Sequence, residues 1–316
     1  MSPNTGGIHH VTAIAGDPQR NADFYVGVLG LRFVKRTVNH DDPGTYHFYF
    51  GDGEGTPGTN ITFFPWTDEG QRGQFGEGMT EHTAYRIPED SVDYWTDRLD
   101  DHDVSFERIE RFGDTVVQFS DPDGIGLELV AADGPTEAVP WADSPVPEAH
   151  QLQGVHSVTL AVGSVEPTAE RLTDVLGFEH EATEGRRHRY HSATGGFASA
   201  VDVVETDASR GRMGVGTVHH VAFRAEDREE LEAYLAAYRE RGVRSSEILD
   251  REYFHALYAR EPNGVLFEIS TMEPGFTADE ELSELGTSLV LPDRLDGRRG
   301  DIERQLPPFD GPAVSR

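Results

Sequence analysis

The run IHHVTAI from Ile8 to Ile14 reads as a strand. Apolar residues then take helical spacing to Val28, and a Leu-Gly turn opens a second strand. The whole segment from Gly7 to Val34, GIHHVTAIAGDPQRNADFYVGVLGLRFV, returns in degenerate form from Gly154 to Glu179 as GVHSVTLAVGSVEPTAERLTDVLGFE. A second kind of unit runs from Glu81 to Val130, opening on EHTAYRIPEDSVDYWTDRL and closing on DPDGIGLELV. Its counterpart, Val218 to Ser270, opens on VHHVAFRAEDREELEAYL and closes on EPNGVLFEIS. Each unit carries one helix and several strand-like runs, such as Ile8 to Ile14, Tyr46 to Phe50 and Asn60 to Phe64 in the first, which is a βαβββ pattern.

A curled sheet of that size cannot bury its face alone, so the units must pair. The expectation is an α+β fold of four βαβββ modules paired into two domains. The stretch from Ala131 to Glu148, AADGPTEAVPWADSPVPE, has linker composition. This divides the 316 residues into an N-terminal module pair over 1–135, a linker over 136–150, a C-terminal pair over 151–272 and a tail over 273–316 that wraps the surface. Within the tail, Ala278 to Leu285 reads as a short acidic helix.

Composition narrows the function. With 27 Lys and Arg against 57 Asp and Glu, the net charge of −30 repels nucleic acid and anionic membranes. Lys35 is the sole lysine, and the acidic residues are scattered along the chain, which points to a surface adapted to a salt-rich cytoplasm. The chain shows no apolar run near 18 residues and no secretion signal at its start, so it reads as soluble and cytoplasmic. The absence of cysteine excludes disulfides, thiolate metal sites and cysteine nucleophiles, so any metal must be held by nitrogen and oxygen.

Equivalent positions in the repeats locate the chemistry. His9 and His10 in the first unit correspond to His156 and Ser157 in the third. Glu81 and His82 in the second correspond to His219 and His220 in the fourth, and Glu128 corresponds to Glu268. Two pseudo-symmetric sites follow: His10, His220 and Glu268, or Ser157, His82 and Glu128. Only the first has two imidazoles and a carboxylate, the facial set that leaves positions open on non-haem iron(II) for a substrate and dioxygen. Manganese(II) accepts the same set. Strand alternation lets only one histidine of each adjacent pair face a cavity, leaving the other in support. For Glu128, a hydrogen-bonded core carboxylate is the preferred reading.

The spacing Leu257-Tyr258, two residues, Glu261-Pro262, one residue, Gly264, three residues, Glu268 resembles the closing half of the extradiol dioxygenase signature. The four-unit layout resembles the vicinal oxygen chelate superfamily, which also holds glyoxalase I and bleomycin-resistance proteins. More closely, HHVTAI, VKRTVNHDDPGTYHFYFGD, GTVHH, DREYFHALYAREPNGVLFEI and PGFTADEEL resemble the hydroquinone ring-cleaving dioxygenases, the group of 2,6-dichlorohydroquinone 1,2-dioxygenase. That resemblance implies Fe(II) at His10, His220 and Glu268, a small aromatic substrate with O2, a homo-oligomer, and supporting roles for His9, His219, Arg251 and Tyr258.

His219 is a candidate for proton transfer, with a structural histidine as the equal alternative. Tyr258 is a candidate for bonding the bound phenolate, and Arg251 for stabilising anionic charge, a surface ion pair being its rival reading. His40 and His47 either line the pocket or cap a turn. The general signature's histidine lies further upstream than His255 does from Tyr258, which leaves the acid/base residue open. A glyoxalase-like metal-dependent lyase or isomerase and a metal-free aromatic-binding protein are the competing functions. The first wants a fourth ligand that the sequence does not place, and the second is disfavoured by the intact ligand set.

Overall fold

A computed structural model describes residues 3–67 and 70–313, so the outer limits of the first and last sequence ranges lie outside the described residues. The first module supplies β1 (Ile8–Ala15), β2 (Arg32–Val38), β3 (Tyr46–Gly51) and β4 (Asn60–Pro65). The second supplies β5 (Met79–Ile87), β6 (Phe106–Arg111), β7 (Asp114–Ser120) and β8 (Gly126–Ala131). The third holds β9 (Val155–Val162), β10 (Phe178–Glu184), β11 (Arg187–Ser192) and β12 (Ala200–Glu205), and the fourth β13 (Thr217–Ala225), β14 (Leu249–Asp250), β15 (Phe254–Arg260) and β16 (Leu266–Pro274). One helix follows the first strand of each module: α1 (Pro18–Ala22, continued by a π-helical turn over Asp23–Val28), α2 (Val92–Asp101), α3 (Val165–Asp174) and α4 (Arg228–Glu240). The fold is therefore α+β, built from four βαβββ modules. Among the described residues no helix is long and apolar enough to cross a membrane.

The strands form two eight-stranded sheets, ordered β14-β15-β16-β13-β1-β4-β3-β2 and β10-β11-β12-β9-β5-β8-β7-β6. Each sheet thus joins one module from each half of the chain, so the ranges 1–135 and 151–272 follow the repeat while the sheets pair across it. The reason is edge satisfaction: β1 and β5 would be bare sheet edges within their own modules, and antiparallel pairing of β1 with β13 and of β5 with β9 covers them.

Helix faces read as the pattern requires. α2 buries Val92, Trp95 and Leu99, and α4 buries Leu231, Tyr234, Leu235 and Tyr238, at the three- and four-residue spacing of one face. Each large apolar side chain so buried contributes about 1.5–3 kcal/mol. Asp227 caps α4 by accepting from the Glu230 amide. The closing hairpins share a turn, Asp121 to Gly124 and Glu261 to Gly264. In both, the glycine takes a positive φ (95° and 103°) and donates back to the carbonyl of the leading acid.

The tail departs from expectation. Instead of one helix over Ala278 to Leu285, it makes short 3-10 turns at Phe276–Ala278 and Leu282–Glu284, and a helix, α5, forms later at Arg299–Gln305. Lys35 accounts for the difference. Its Nζ, fully buried, is held by the Phe276 carbonyl at 3.0 Å, Asp279 Oδ1 at 2.6 Å and Glu280 Oε2 at 2.5 Å. Neighbouring side chains on a helix diverge by about 100° and would not converge on one ammonium.

Candidate metal centre

Three adjacent strands of the first sheet deliver the triad. His10 comes from β1, His220 from β13 and Glu268 from β16. Each is buried, and one ligand atom from each lies within 4.8 Å of the other two. His220 Nε2 is 2.7 Å and His10 Nε2 3.8 Å from Glu268 Oε2, and the two Nε2 atoms are 3.4 Å apart. Ser270 Oγ donates to the other carboxylate oxygen, Oε1, whereas Oε2 is buried without a directed hydrogen bond. An orphaned carboxylate oxygen facing two imidazole nitrogens fits a divalent cation bound by nitrogen and oxygen. Burial alone would raise the Glu268 pKa, but His220 and His10 opposite it hold the carboxyl well below its usual range. Burial also lowers His10 to about 4, against the pull of Glu268, so its imidazole is neutral and able to ligate.

Both adjacent histidine pairs sit at β-bulges. Ile8 and His10 face consecutive partners, Phe223 and Ala222, which makes His9 the extra residue. Thr12 and Ala13 face His220 and Val218, which makes His219 the other. This corrects the expectation that one histidine of each pair turns away from the cavity for the second pair alone, since of the first pair only His10 is among the cavity residues. A bulge breaks strand alternation, and His219 lines the same cavity as His220. His219 Nδ1 lies 2.8 Å from His220 Nδ1, and His9, which is buried, places its Nδ1 2.9 Å from His10 Nδ1. Burial first, then His220, lowers His219 to about 3.

The cavity has a volume of about 290 Å³, at the small end of ligand sites. Tyr258, register partner of Glu268, stands on one wall and accepts a hydrogen bond from Arg251 Nε at 3.3 Å. Arg251 also pairs with Asp41 at 3.2 Å, so its charge serves the cavity and a loop carboxylate together. Burial first, with Glu268 nearby, raises the Tyr258 pKa well above normal, so the phenol keeps its proton. Phe64, Trp66 and Phe254 give apolar surface, and His40, His47 and Tyr49 complete positions left unassigned from the sequence. The alternation in HFYF was the available signal, since it sets His47 and Tyr49 on one face. His255 is not among the cavity residues.

The second sheet repeats the bulges, with Glu81 and His156 as extra residues, but not the triad. Glu128 is buried against Arg111 Nη1 at 2.6 Å and accepts from Gln118 Nε2 at 2.9 Å, while His82 Nδ1 stays 3.7 Å away. A guanidinium occupies the place where the first sheet brings histidines to its carboxylate.

A family model described as the Glyoxalase/Bleomycin resistance protein/Dioxygenase superfamily matches residues 7–129 and 154–269. The chain belongs to this superfamily. Its fold is the vicinal oxygen chelate fold expected from the repeats. The chain is 44% identical over 313 residues to "Putative ring-cleaving dioxygenase MhqO" of Bacillus subtilis, covering 98% of both chains. It is 33% identical over 309 residues to the "Chlorohydroquinone/hydroquinone 1,2-dioxygenase" of Sphingobium indicum, covering 95% of both. The crystal structure of a "putative dioxygenase from Bacillus subtilis" superposes with a TM-score of 0.94 at 42% identity, over 98% of this chain and 99% of that one. The superfamily's dioxygenase branch is where these full-length relatives lie.

Proposed function

We propose that the protein is a ring-cleaving dioxygenase that holds Fe(II) with His10, His220 and Glu268 and opens a hydroquinone or related dihydroxybenzene with both atoms of O2. The observation that carries this reading is the buried, orphaned Oε2 of Glu268 set against two imidazole nitrogens at the head of a ring-sized cavity. The full-length likeness to a hydroquinone dioxygenase supports the substrate class. Mn(II) suits the same donors and is the alternative ion.

When bound, the metal supplies the electronic link between an electron-rich phenolate and dioxygen. The protein's own groups do the rest. Phe64, Trp66 and Phe254 enclose the ring and keep water from it. His219, neutral and aimed at the cavity, holds or passes a proton at Nε2 while its Nδ1 meets His220. Tyr258 presents a protonated hydroxyl to substrate oxygens, and Arg251 fixes that hydroxyl and adds a permanent positive charge where anionic oxygen develops. His9 acts from behind the site, orienting His10. The acidic surface supports work in a salt-rich cytoplasm.

The test is anaerobic purification in high salt, elemental analysis, and oxygen uptake with hydroquinone, methylhydroquinone and catechol, comparing wild type with His220→Ala. Iron near one per chain and uptake lost in the variant are expected. Equal uptake in both proteins, or no metal after reconstitution, removes the site.

A further inference from the structure

A further part of the cavity wall carries a hydrogen-bonded chain that none of the roles above uses. In the first sheet β15 and β3 lie on opposite limbs, separated by β16, β13, β1 and β4. From β3, His47 and Tyr49 line the cavity. Tyr49 OH is 2.9 Å from His47 Nδ1, His47 Nε2 is 3.0 Å from Thr62 Oγ1, and Thr62 Oγ1 is 2.8 Å from Thr12 Oγ1. The imidazole is fixed between the Tyr49 and Phe64 rings, with centroids at 4.1 and 4.4 Å.

Burial lowers the His47 pKa well below its ordinary value, so the ring is neutral and has one donor and one acceptor nitrogen. Tyr49 and Thr62 must therefore play opposite parts. Either Tyr49 donates to Nδ1 while Nε2–H donates to Thr62, or the chain runs in reverse. In the first polarity the Tyr49 oxygen keeps a lone pair for a donor in the cavity; in the second its own O–H is released toward the cavity. Tyr49 is 2% exposed, so the cavity is the place to look for its remaining partner. Arg251 is engaged with Tyr258 and Asp41, and His40 with Arg294.

The two hydroxyls of a para-dihydroxybenzene point away from each other. When one lies at the triad, the other is carried to the far side of the ring, where a buried hydroxyl without a partner is costly. A second hydroxyl ortho to the first stays at the triad, and a monophenol has none. We propose that Tyr49, oriented by His47, binds the hydroxyl remote from His10, His220 and Glu268, and so selects para-dihydroxy rings. The inference rests on the hydroquinone reading of this site. Tyr49 is thereby a specificity-determining residue and His47 a positioning residue.

The experiment is calorimetric binding of hydroquinone, catechol and phenol to the iron-loaded protein under argon, for wild type, Tyr49→Phe and His47→Leu, with oxygen uptake of the wild type measured separately. Wild type is expected to bind hydroquinone about five- to tenfold more tightly than phenol, the contribution of one hydrogen bond. Tyr49→Phe, which keeps the ring and its packing, should reduce that preference to near unity without changing phenol affinity, and His47→Leu should reduce it in part. An undiminished preference in Tyr49→Phe overturns the inference. If the wild type still consumes oxygen with hydroquinone in that case, only this inference fails. If it consumes none, the reading of the site falls with it.

Discussion

The Nδ1 atoms of His9 and His10 stand 2.9 Å apart, and this contact decides which nitrogen of His10 is free for a metal. His9 Nε2 is 3.2 Å from the Thr271 carbonyl, which can only accept. Burial keeps His9 neutral, so its one proton sits on Nε2 and its Nδ1 accepts from His10 Nδ1–H. The lone pair at His10 Nε2 then points toward Glu268 and His220. A bulge is what allows two consecutive residues to make this arrangement.

His9→Leu is therefore expected to weaken metal binding about 10- to 100-fold. His9→Gln should largely retain it, because a carboxamide can accept from His10 and donate to Thr271. Equilibrium dialysis with Mn(II) reads both without turnover, and wild-type affinity in the leucine variant contradicts the tautomer assignment.

Asp121 gives a pH dependence far from the site. Burial, against hydrogen bonds from the Ile125 and Asp123 amides, raises its pKa to about 7. A carboxyl raised above its unfolded value of about 3.9 adds stability that is fully present below that value and is lost as pH rises through 7. Asp121→Asn should gain about 2–3 kcal/mol on wild type between pH 5 and pH 8, because the amide carries no charge. Paired urea titrations at the two pH values measure the difference. Equal differences at both would place the Asp121 pKa near normal.

The second sheet should stay metal-free even when its missing histidine is restored. Ser157→His returns the third residue type, but Glu128 is already saturated by Arg111 and Gln118. Elemental analysis is expected to give one metal per chain in wild type and in Ser157→His alike. Arg111→Met strips the guanidinium from a buried carboxylate and should cost about 3–5 kcal/mol by denaturant unfolding. Two metals per chain in the single variant would show that Arg111 yields readily.

The triad was legible because the chain contains its own control. Ser157 stands where His10 does, so the repeats differ in that one member of the set, while His82 and Glu128 keep the residue types of His220 and Glu268. The bulges were not legible, since a register shift at His9 or His219 is a property of two strands that lie far apart in sequence. The pairing of modules across the chain midpoint was legible only through the two candidate sites, which draw on the first and fourth units and on the second and third. His47 and Tyr49 carried only an alternation signal, which assigns a face but not what that face meets. The tail misled because Asp279 and Glu280 have helical surroundings in sequence, while their partner Lys35 lies in the first module.

Surface charge supplies the last expectation. Three buried carboxylates are neutralised by arginines within the fold: Asp202 by Arg187 and Arg189, Asp123 by Arg20, and Glu128 by Arg111. Most of the excess in a net charge of −30 is thus left to exposed groups such as Asp97, Asp100 and Asp101 on the outer face of α2. Their mutual repulsion acts over about 10 Å at 0.1 M salt and about 3 Å at 1 M. The melting temperature should rise steeply between 0.1 and 2 M KCl, and a triple Asp97→Asn, Asp100→Asn, Asp101→Asn variant should melt higher at 0.1 M with a shallower salt slope. Calorimetric scans across that range decide it. An unchanged slope in the variant would show that the salt effect does not arise from repulsion among these three carboxylates.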